Sequence, residues 1–582
     1  MLQRIVLRDP AIAQWLTFSD PVDVLIAQRP ASVLPVLRAA ERRVRNEALY
    51  AAGFVTYEAA PGLDTALVTH ESEQLPLVCF GLFAECHITD KPDTQANKPM
   101  RRAEWHMGET SDTYTRKIAK IKQRIVAGDT YQINYTVRQH ADHVEDAMSL
   151  FQNIAIGAPY AAYIDCGAHI IVSASPELFF RRIDDQLICR PMKGTSHRGL
   201  TSTGDIALRE ALRNSTKNRA ENVMILDMVR NDMGRVAETG TVDVTGFYEI
   251  ERYPTVWQMT STVVARTDAV VSDIFAALFP SASVTGAPKV SSMNLIRDLE
   301  NSPREIYTGA IGYFGPDNRA QFSVAIRTAL IDTASAQATY GVGGGIVWDS
   351  DPLDEYNECL TKAKVLSNVS AHDDFELLET MLWTPERGYV LLEEHLNRLC
   401  ASAEYFDFVC DRSTLEQALH SHAVAFSVQN QRVRLTVRQD GGFSITDRSL
   451  SAARNDSPQR IILAQEPVDK DNVFLYHKTT HRDVYDDALR QIPGGDDVLL
   501  WNEDGLITET SISNVALRRD GHLCTPPVDA GLLAGTYRNW LISNGMASER
   551  PIHVDELYEG AELVLFNSVR AQYPGILCKR GL

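Results

Sequence analysis

The sequence has no run of 18 consecutive apolar residues, so no transmembrane helix is expected. It also has no Cys-x-x-Cys pair; nine cysteines lie scattered through 582 residues. That spacing predicts neither a disulfide framework nor structural zinc, and points to reduced, buried thiols in a cytoplasmic protein. Positive charge is in deficit: 57 Lys and Arg stand against 76 Asp and Glu, a formal net charge of −19. Nonspecific nucleic-acid binding and attachment to an anionic membrane both need basic patches, so neither is expected. A small anionic substrate in a local basic pocket stays compatible with this charge. Tandem repeats, low-complexity tracts, a Walker A loop and a dinucleotide fingerprint are all missing. The chain reaches Asp9 and Pro10 before any long apolar run, so no secretory signal is expected.

Apolar residues make up 44% and charged residues 23%, which is ordinary globular composition. The length allows roughly three to five domain-sized units, or two large ones. Three polar stretches read as loops: His87–Glu104, Asp447–Gln459 and Ser370–Asp374. Before the last, Asp354–Ser367 reads as a helix. After it, Phe375–Leu382 and Gly388–Leu392 read as short strands around a turn at Pro385–Gly388. This pattern predicts two domains, residues 1–371 and 372–582. Ile118, Ile121, Ile125 and Val126 keep helical spacing, and Gly128 supplies a stop. Tyr131, Ile133, Tyr135 and Val137 alternate as in a strand, and Ile170–Val172 and Leu178–Phe180 add two more. Without strict βαβ alternation, the fold class is α+β.

Glu355, Glu358 and Lys362 fall at i, i+3 and i+7, one face of the expected helix. Two carboxylates there suit Mg²⁺, which prefers oxygen ligands; a solvated, salt-bridged surface explains the same spacing. The apolar run Ala220–Asp232 carries Glu221, Asp227, Arg230 and Asp232, and buried charge needs a partner or a ligand. A structural ion-pair network accounts for the last three, leaving Glu221 over. Two small-residue loops, Phe279–Lys289 and Tyr340–Ile346, offer backbone N–H groups to an anion.

Together these segments resemble the chorismate-utilising enzymes over most of Ala51–Leu366. Tyr57-Glu-Ala-Ala-Pro61, Gly128-Asp-Thr-Tyr-Gln132-Ile-Asn134, Ser175-Pro-Glu177, Pro191-Met-Lys193-Gly-Thr195 and Gly309-Ala-Ile-Gly-Tyr313-Phe occur in the family's order. The resemblance implies a chorismate-binding, anthranilate synthase component I-like domain with paired sheets. Isochorismate and salicylate synthases carry a water-activating lysine where this chain has Gln132. Anthranilate synthases usually have alanine at Lys193, and a lysine there is the mark of the aminodeoxychorismate synthase branch. By that likeness Lys193 attacks ring carbon 2 as the 4-hydroxyl leaves, and Glu177 is the acid. Ammonia then enters at carbon 4. The likeness assigns Mg²⁺ to Glu221 and Glu358, with Glu355 nearby or bound through water. It assigns the enolpyruvyl carboxylate to Tyr307, Arg327, Gly344 and Gly345, with Thr285 and Lys362 in the same pocket. Gln258 replaces the histidine of anthranilate synthases, so no histidine acid carries over. No glutaminase domain is evident, which implies a separate amidotransferase subunit or free ammonia.

Four segments of the second part, in order, resemble the fold-type IV pyridoxal-phosphate enzymes: Glu394–Leu399, Tyr476–Arg482, Ile507–Leu517 and Leu532–Arg538. The likeness implies a two-subdomain domain with the cofactor between. Lys478 would carry pyridoxal 5'-phosphate and Glu509 would pair with its ring nitrogen. Arg398, the amides of Thr536 and Tyr537, and Ser568 would hold the phosphate. Thr380 would guide pyruvate loss. Transaminases and aminodeoxychorismate lyases share this machinery; the fusion favours the lyase. The combined expectation is a bifunctional maker of 4-aminobenzoate for folate, homodimeric through the second domain. An anthranilate-type synthase fused to an amino-acid transaminase is the alternative.

Overall fold

The computed structural model describes residues 2–92, 103–144, 146–155, 157–253, 255–363, 366, 375–426, 428–450, 457–492 and 494–578. The chain forms two compact units: Met1–Arg198 with Arg209–Ala371, and Gly199–Leu208 with His372–Leu582. The assignment of Gly199–Leu208 to the second unit has no counterpart in the sequence pattern. Ser370–Asp374, and with it the expected boundary near residue 372, lies outside the described residues.

The first unit is built on two large antiparallel sheets. One runs from Gly286–Ala287 through Gln132–Ala141, Ala338–Ile346, Thr328–Asp332, His169–Ser175, Tyr160–Asp165 and Arg4–Asp9 to Gln14–Ser19 and His87–Thr89. The other runs from Met192–His197 through Val256–Arg266, Gln186–Arg190, Leu178–Ile183, Ala320–Val324 and Ala310–Phe314 to Tyr50–Val55, Val78–Phe83 and Asp23–Ala27. Strand periodicity explains how they stack. Every residue of Val78–Phe83 is buried, yet Val78, Phe80 and Leu82 join a core beneath helices, while Cys79 and Phe83 join a core shared with the first sheet. Tyr163 likewise faces helices, and Ile164 faces the opposite sheet. The layers are therefore helix, sheet, sheet, helix. Each fully buried aromatic such as Phe80 contributes about 1.5–3 kcal/mol of transfer free energy.

The expected helix before Gly128 spans Ser111–Val126, buries Tyr114, Ile118 and Ile121, and is capped by the Thr110 side chain. The helix expected from Asp354 starts at Pro352 and is described to Ala363. Two expectations need correction. His87–Thr89 is an edge strand rather than loop, because it pairs with Trp15–Thr17. Asp227 and Arg230 are not buried: they form an exposed pair at 3.1 Å, while Asp232 pairs with Lys289 at 2.8 Å.

The second unit contains a four-stranded sheet ordered Gly388–Tyr389, Leu377–Thr384, Gln431–Val437 and Phe443–Ser449. Its other sheet has eight strands and three parallel pairings, including Gln459–Leu463 with Asp497–Trp501. The strand expected at Gly388–Leu392 stops at Tyr389, since Leu391 adopts φ 57° and opens the helix Leu392–Phe406. Asp447–Ser449 is strand rather than loop, because it pairs with Gln431–Val433. Leu396, Leu399 and Ala403 pack into the core as the helical stripe predicts, and His395 is buried with them. Among the described residues no helix is long and apolar enough to cross a membrane, and all nine cysteines are free.

Candidate active sites

In the first unit a cavity of about 1020 Å³ opens where strands of the two sheets meet two helices. Asn134 and Gly341–Gly345 come from the first sheet, and Lys193–Thr195 and Gln258 from the second. Glu221 comes from helix Thr216–Gly234, and Glu355, Glu358 and Lys362 from helix Pro352–Ala363. Glu177, Tyr307 and Arg327 complete the wall. Lys193, Glu177, Glu221, Glu355, Glu358, Tyr307, Arg327, Gly344, Gly345 and Lys362, scattered in sequence, thus share one cavity. Thr285 does not line it: the residue is fully buried, and its hydroxyl donates to the Ser281 carbonyl at 3.2 Å. Neighbouring Ser283 reaches the cavity instead and donates to Glu177 at 2.5 Å.

Electrostatics set the protonation of this cavity. Burial pushes the Glu177 carboxyl up to about 7, against the lowering pull of Ser283 and Lys193, so it is a proton donor near neutrality. Burial lowers the Lys193 amine, opposed chiefly by Glu221, which favours its neutral form. Lys193 follows directly on Met192 in an edge strand, and Gly194 adopts φ 100° beside it. Gln258 fixes that turn by donating to the Gly194 carbonyl at 2.8 Å and accepting from Thr195 at 3.0 Å. A Cβ on Gly345 would collide with Lys193 Nζ and Gln132 Nε2, so only glycine leaves room for the amine.

The three predicted metal residues supply hard oxygen donors. Glu355 Oε1 accepts from Ser350 at 2.7 Å, and Glu358 pairs with Lys362 at 2.8 Å. Lys362 also donates to the Gly343 carbonyl at 2.8 Å. Among the described residues no three His, Cys, Asp or Glu side chains converge to hold a metal ion. Carboxylate oxygens of this kind are donors that Mg²⁺ accepts, so the residues are compatible with that ion.

The second unit has its own cavity of about 1250 Å³, lined by Lys478, Glu509, Arg398, Thr380, Gly535, Thr536, Tyr537 and Ser568. Burial lowers the Lys478 amine to about 8, with Arg398 adding to the effect. Burial raises Glu509 to about 7, while the Tyr485 hydroxyl (2.8 Å), Asn514 Nδ2 (3.1 Å) and the Leu533 amide (3.1 Å) hold its carboxyl in place. Gly535 precedes helix Thr536–Ser543, and a Cβ there would collide with Asn514 Oδ1. A buried low-pKa amine, a facing carboxyl, an arginine and a helix start fit pyridoxal 5'-phosphate. Ser568 spends its hydroxyl on the Thr380 carbonyl at 3.2 Å.

Sequence reasoning missed Glu379. It is 1% exposed and accepts Arg398 Nε at 2.8 Å, a second Arg398 nitrogen at 2.6 Å and bonds His395 Nδ1 at 2.6 Å. The other His395 nitrogen lies 3.3 Å from the Thr536 hydroxyl. Glu379 and His395 thus form an internal clamp that orients Arg398. A signal existed: Glu379 alternates with Leu377 and Met381, both fully buried, so a lone acid sits on a core-facing strand face.

The first unit defines a class. The chain belongs to the chorismate binding enzyme family, whose model matches residues 3–368. Residues 376–575 match the amino-transferase class IV model, a fold-type IV domain that implies pyridoxal phosphate. Among relatives, the chain is 41% identical over 261 residues to the aminodeoxychorismate synthase of Streptomyces griseus, covering 44% of this chain and 36% of that one. It is 39% identical over 260 residues to aminodeoxychorismate synthase component 1 of Bacillus subtilis (strain 168), covering 44% and 54% respectively. The chain thus spans roughly a third to half the length of these curated relatives. Anthranilate synthase component I from Streptococcus pneumoniae TIGR4 shares the fold of the first unit, with TM-score 0.53, 22% identity, and coverage of 63% of this chain and 92% of that one.

Proposed function

We propose that the first unit aminates chorismate at carbon 4 and that the second eliminates pyruvate from the product, 4-amino-4-deoxychorismate, to give 4-aminobenzoate for folate. The observation that carries this reading is Lys193: its amine stands in one cavity with Glu177 and three carboxylates, against Gly345. The neutral Lys193 amine forms a bond to ring carbon 2. The carbon 4–oxygen bond breaks as Glu177 protonates the departing hydroxyl to water. Ammonia then bonds to carbon 4, the double bond shifts back, and the bond to Lys193 breaks. Glu221 and Glu358 would hold Mg²⁺, which would supply charge stabilisation to the substrate. Arg327, Tyr307 and the Gly344–Gly345 backbone take the enolpyruvyl carboxylate, and Lys362 tethers Glu358. Ammonia comes from a partner glutamine amidotransferase in the cytoplasm.

In the second unit Lys478 would hold the cofactor, Arg398 and the amides of Thr536 and Tyr537 would bind its phosphate, and Glu509 would pair with its ring nitrogen. Bound pyridoxal phosphate supplies an electron sink for the carbanion left at carbon 4. Lys478 would take the carbon-4 proton, and Thr380, in the same cavity, would guide the departing pyruvate. Incubating purified protein with chorismate, ammonium and Mg²⁺ should yield 4-aminobenzoate and pyruvate, identified by mass and fluorescence. Accumulation of 2-aminobenzoate instead would select an anthranilate-type synthase.

A further inference from the structure

The wall of the second cavity is strongly one-signed. Arg398, Arg432, Arg434, Lys478, Arg482 and Arg570 line it, with Glu509 as the one acid among the described lining residues. Arg398 is neutralised by Glu379, and Arg482 donates to the Ser511 carbonyl and stacks on Tyr485. Arg570 lies over Tyr573. Arg432 and Arg434 are different: among the described residues neither side chain has a hydrogen-bond, ion-pair or ring partner.

Their place in the sheet is specific. Strand Gln431–Val437 alternates, with Val433, Leu435 and Val437 fully buried on one face and both arginines on the other. Arg434 pairs across the strand with Thr380, and Arg432 with Leu382. Two residues before Thr380, the Leu378 amide donates to the Lys478 carbonyl at 2.9 Å. Arg434 therefore stands one strand over and two residues along from the lysine that would carry the cofactor, and Arg432 one step farther out. On the other side Arg432 is directly opposite Arg448. Both arginines are exposed on this face, so they are free to meet a ligand, and the like charge opposite Arg432 is unfavourable for the sheet.

We propose that Arg432 and Arg434 bind the substrate carboxylates in the second cavity and tune it for a dicarboxylate amine instead of a simple amino acid. The proposal rests on the lyase reading and deepens it, since the postulated substrate carries a ring carboxylate and an enolpyruvyl carboxylate. The cofactor phosphate is assigned to the Gly535 turn and to Arg398, which Glu379 holds in place. Among the described arginines of this wall, Arg432 and Arg434 are the two whose side chains have no protein partner, which matches a substrate with two anionic groups. Guanidinium forks match carboxylates bidentately, and each such bond is stronger than a neutral one.

The test uses the full-length holoenzyme, with 4-amino-4-deoxychorismate supplied and pyruvate release measured. Arg434→Gln and Arg432→Gln should each raise KM by about 10- to 100-fold, with kcat changed little and the cofactor absorbance band retained. Arg434→Lys should recover part of the loss. Arg448→Gln, on the same sheet face but off the cavity wall, should leave KM unchanged. KM values within about twofold of wild type in both Gln variants, or an equal rise in Arg448→Gln, would overturn the proposal. A second readout separates it from the lyase reading. Chorismate, which has both carboxylates and no amine, is titrated with EDTA and without ammonium while the cofactor band is followed. If wild type releases no pyruvate, the lyase reading fails. The arginine assignment then stands only if chorismate perturbs the band in wild type and needs at least about tenfold more in the Gln variants. No perturbation in wild type, or an equal midpoint in the variants, rejects it.

Discussion

Replacing Glu379 with Gln removes the charge that orients Arg398, and its cost follows from two independent lines. The side chains of Glu379, His395 and Arg398 are 1%, 1% and 15% exposed, so solvent screens them little. Breaking a buried pair by removing one partner costs about 3–5 kcal/mol, because the survivor stays buried and unpaired. Titration gives a similar figure. Burial alone would raise the Glu379 carboxyl, yet Arg398 and then His395 bring it to about 2 from an ordinary 4.5. At 1.36 kcal/mol per unit that is about 3 kcal/mol. A depressed carboxyl contributes stability that is complete above its unfolded value of 4.5 and is lost as pH falls towards 2. Glu379→Gln should therefore lower the unfolding midpoint of the second unit at pH 7 by about 6–12 °C. The wild type should approach the variant's stability as pH falls from 4.5. Scanning calorimetry of the two proteins between pH 3 and pH 7 measures both effects, and cofactor affinity should fall in parallel. A midpoint shift under about 2 °C, together with superimposable acid limbs, would refute the buried-clamp argument.

Lys193→Ala should abolish formation of 4-amino-4-deoxychorismate while chorismate still binds in a Mg²⁺-dependent manner, read by calorimetry; equal loss of binding would assign Lys193 to folding or recognition. The first-unit rate should decline as pH rises through about 7, because Glu177 must be protonated to act. Glu177→Gln should remove most activity and that alkaline limb together, measured as kcat/KM from pH 6 to pH 9.

The sequence disclosed the first cavity's chemistry better than its shape. Glu221 stood out as a charge inside an apolar run, whereas Lys193 and Glu177 were marked by motifs resembling those of the chorismate-utilising enzymes. Gln258 was noted only for not being histidine; its grip on Gly194 and Thr195 depends on the pairing of Met192–His197 with Val256–Arg266, which no local pattern encodes. Thr285 shared its loop with the residues that do reach the cavity, and a 3-10 turn at Ala282–Val284 rotates it behind them. In the second unit Arg398 was marked only for the cofactor phosphate, and His395 not at all. Only the tertiary position of Glu379, on a strand adjacent to their helix, turns them inward. Helices with clear stripes, such as Ser111–Val126, were legible because one face is covered along its whole length. Short strands such as His87–Thr89 were not, since an edge strand of three exposed residues carries no periodic signal.

The floor of the first cavity is formed by missing atoms. A Cβ at Gly341 would strike the Tyr307 ring, one at Gly344 would lie 3.0 Å from Glu355 Oε2, and one at Gly345 would occupy the place of the lysine amine. Glycine is already the smallest residue, so mutation along this strand can only shrink the chamber. Any evolutionary widening towards bulkier ring acids has to come from lining residues that carry side chains, such as Met192, Val284 and Ile326.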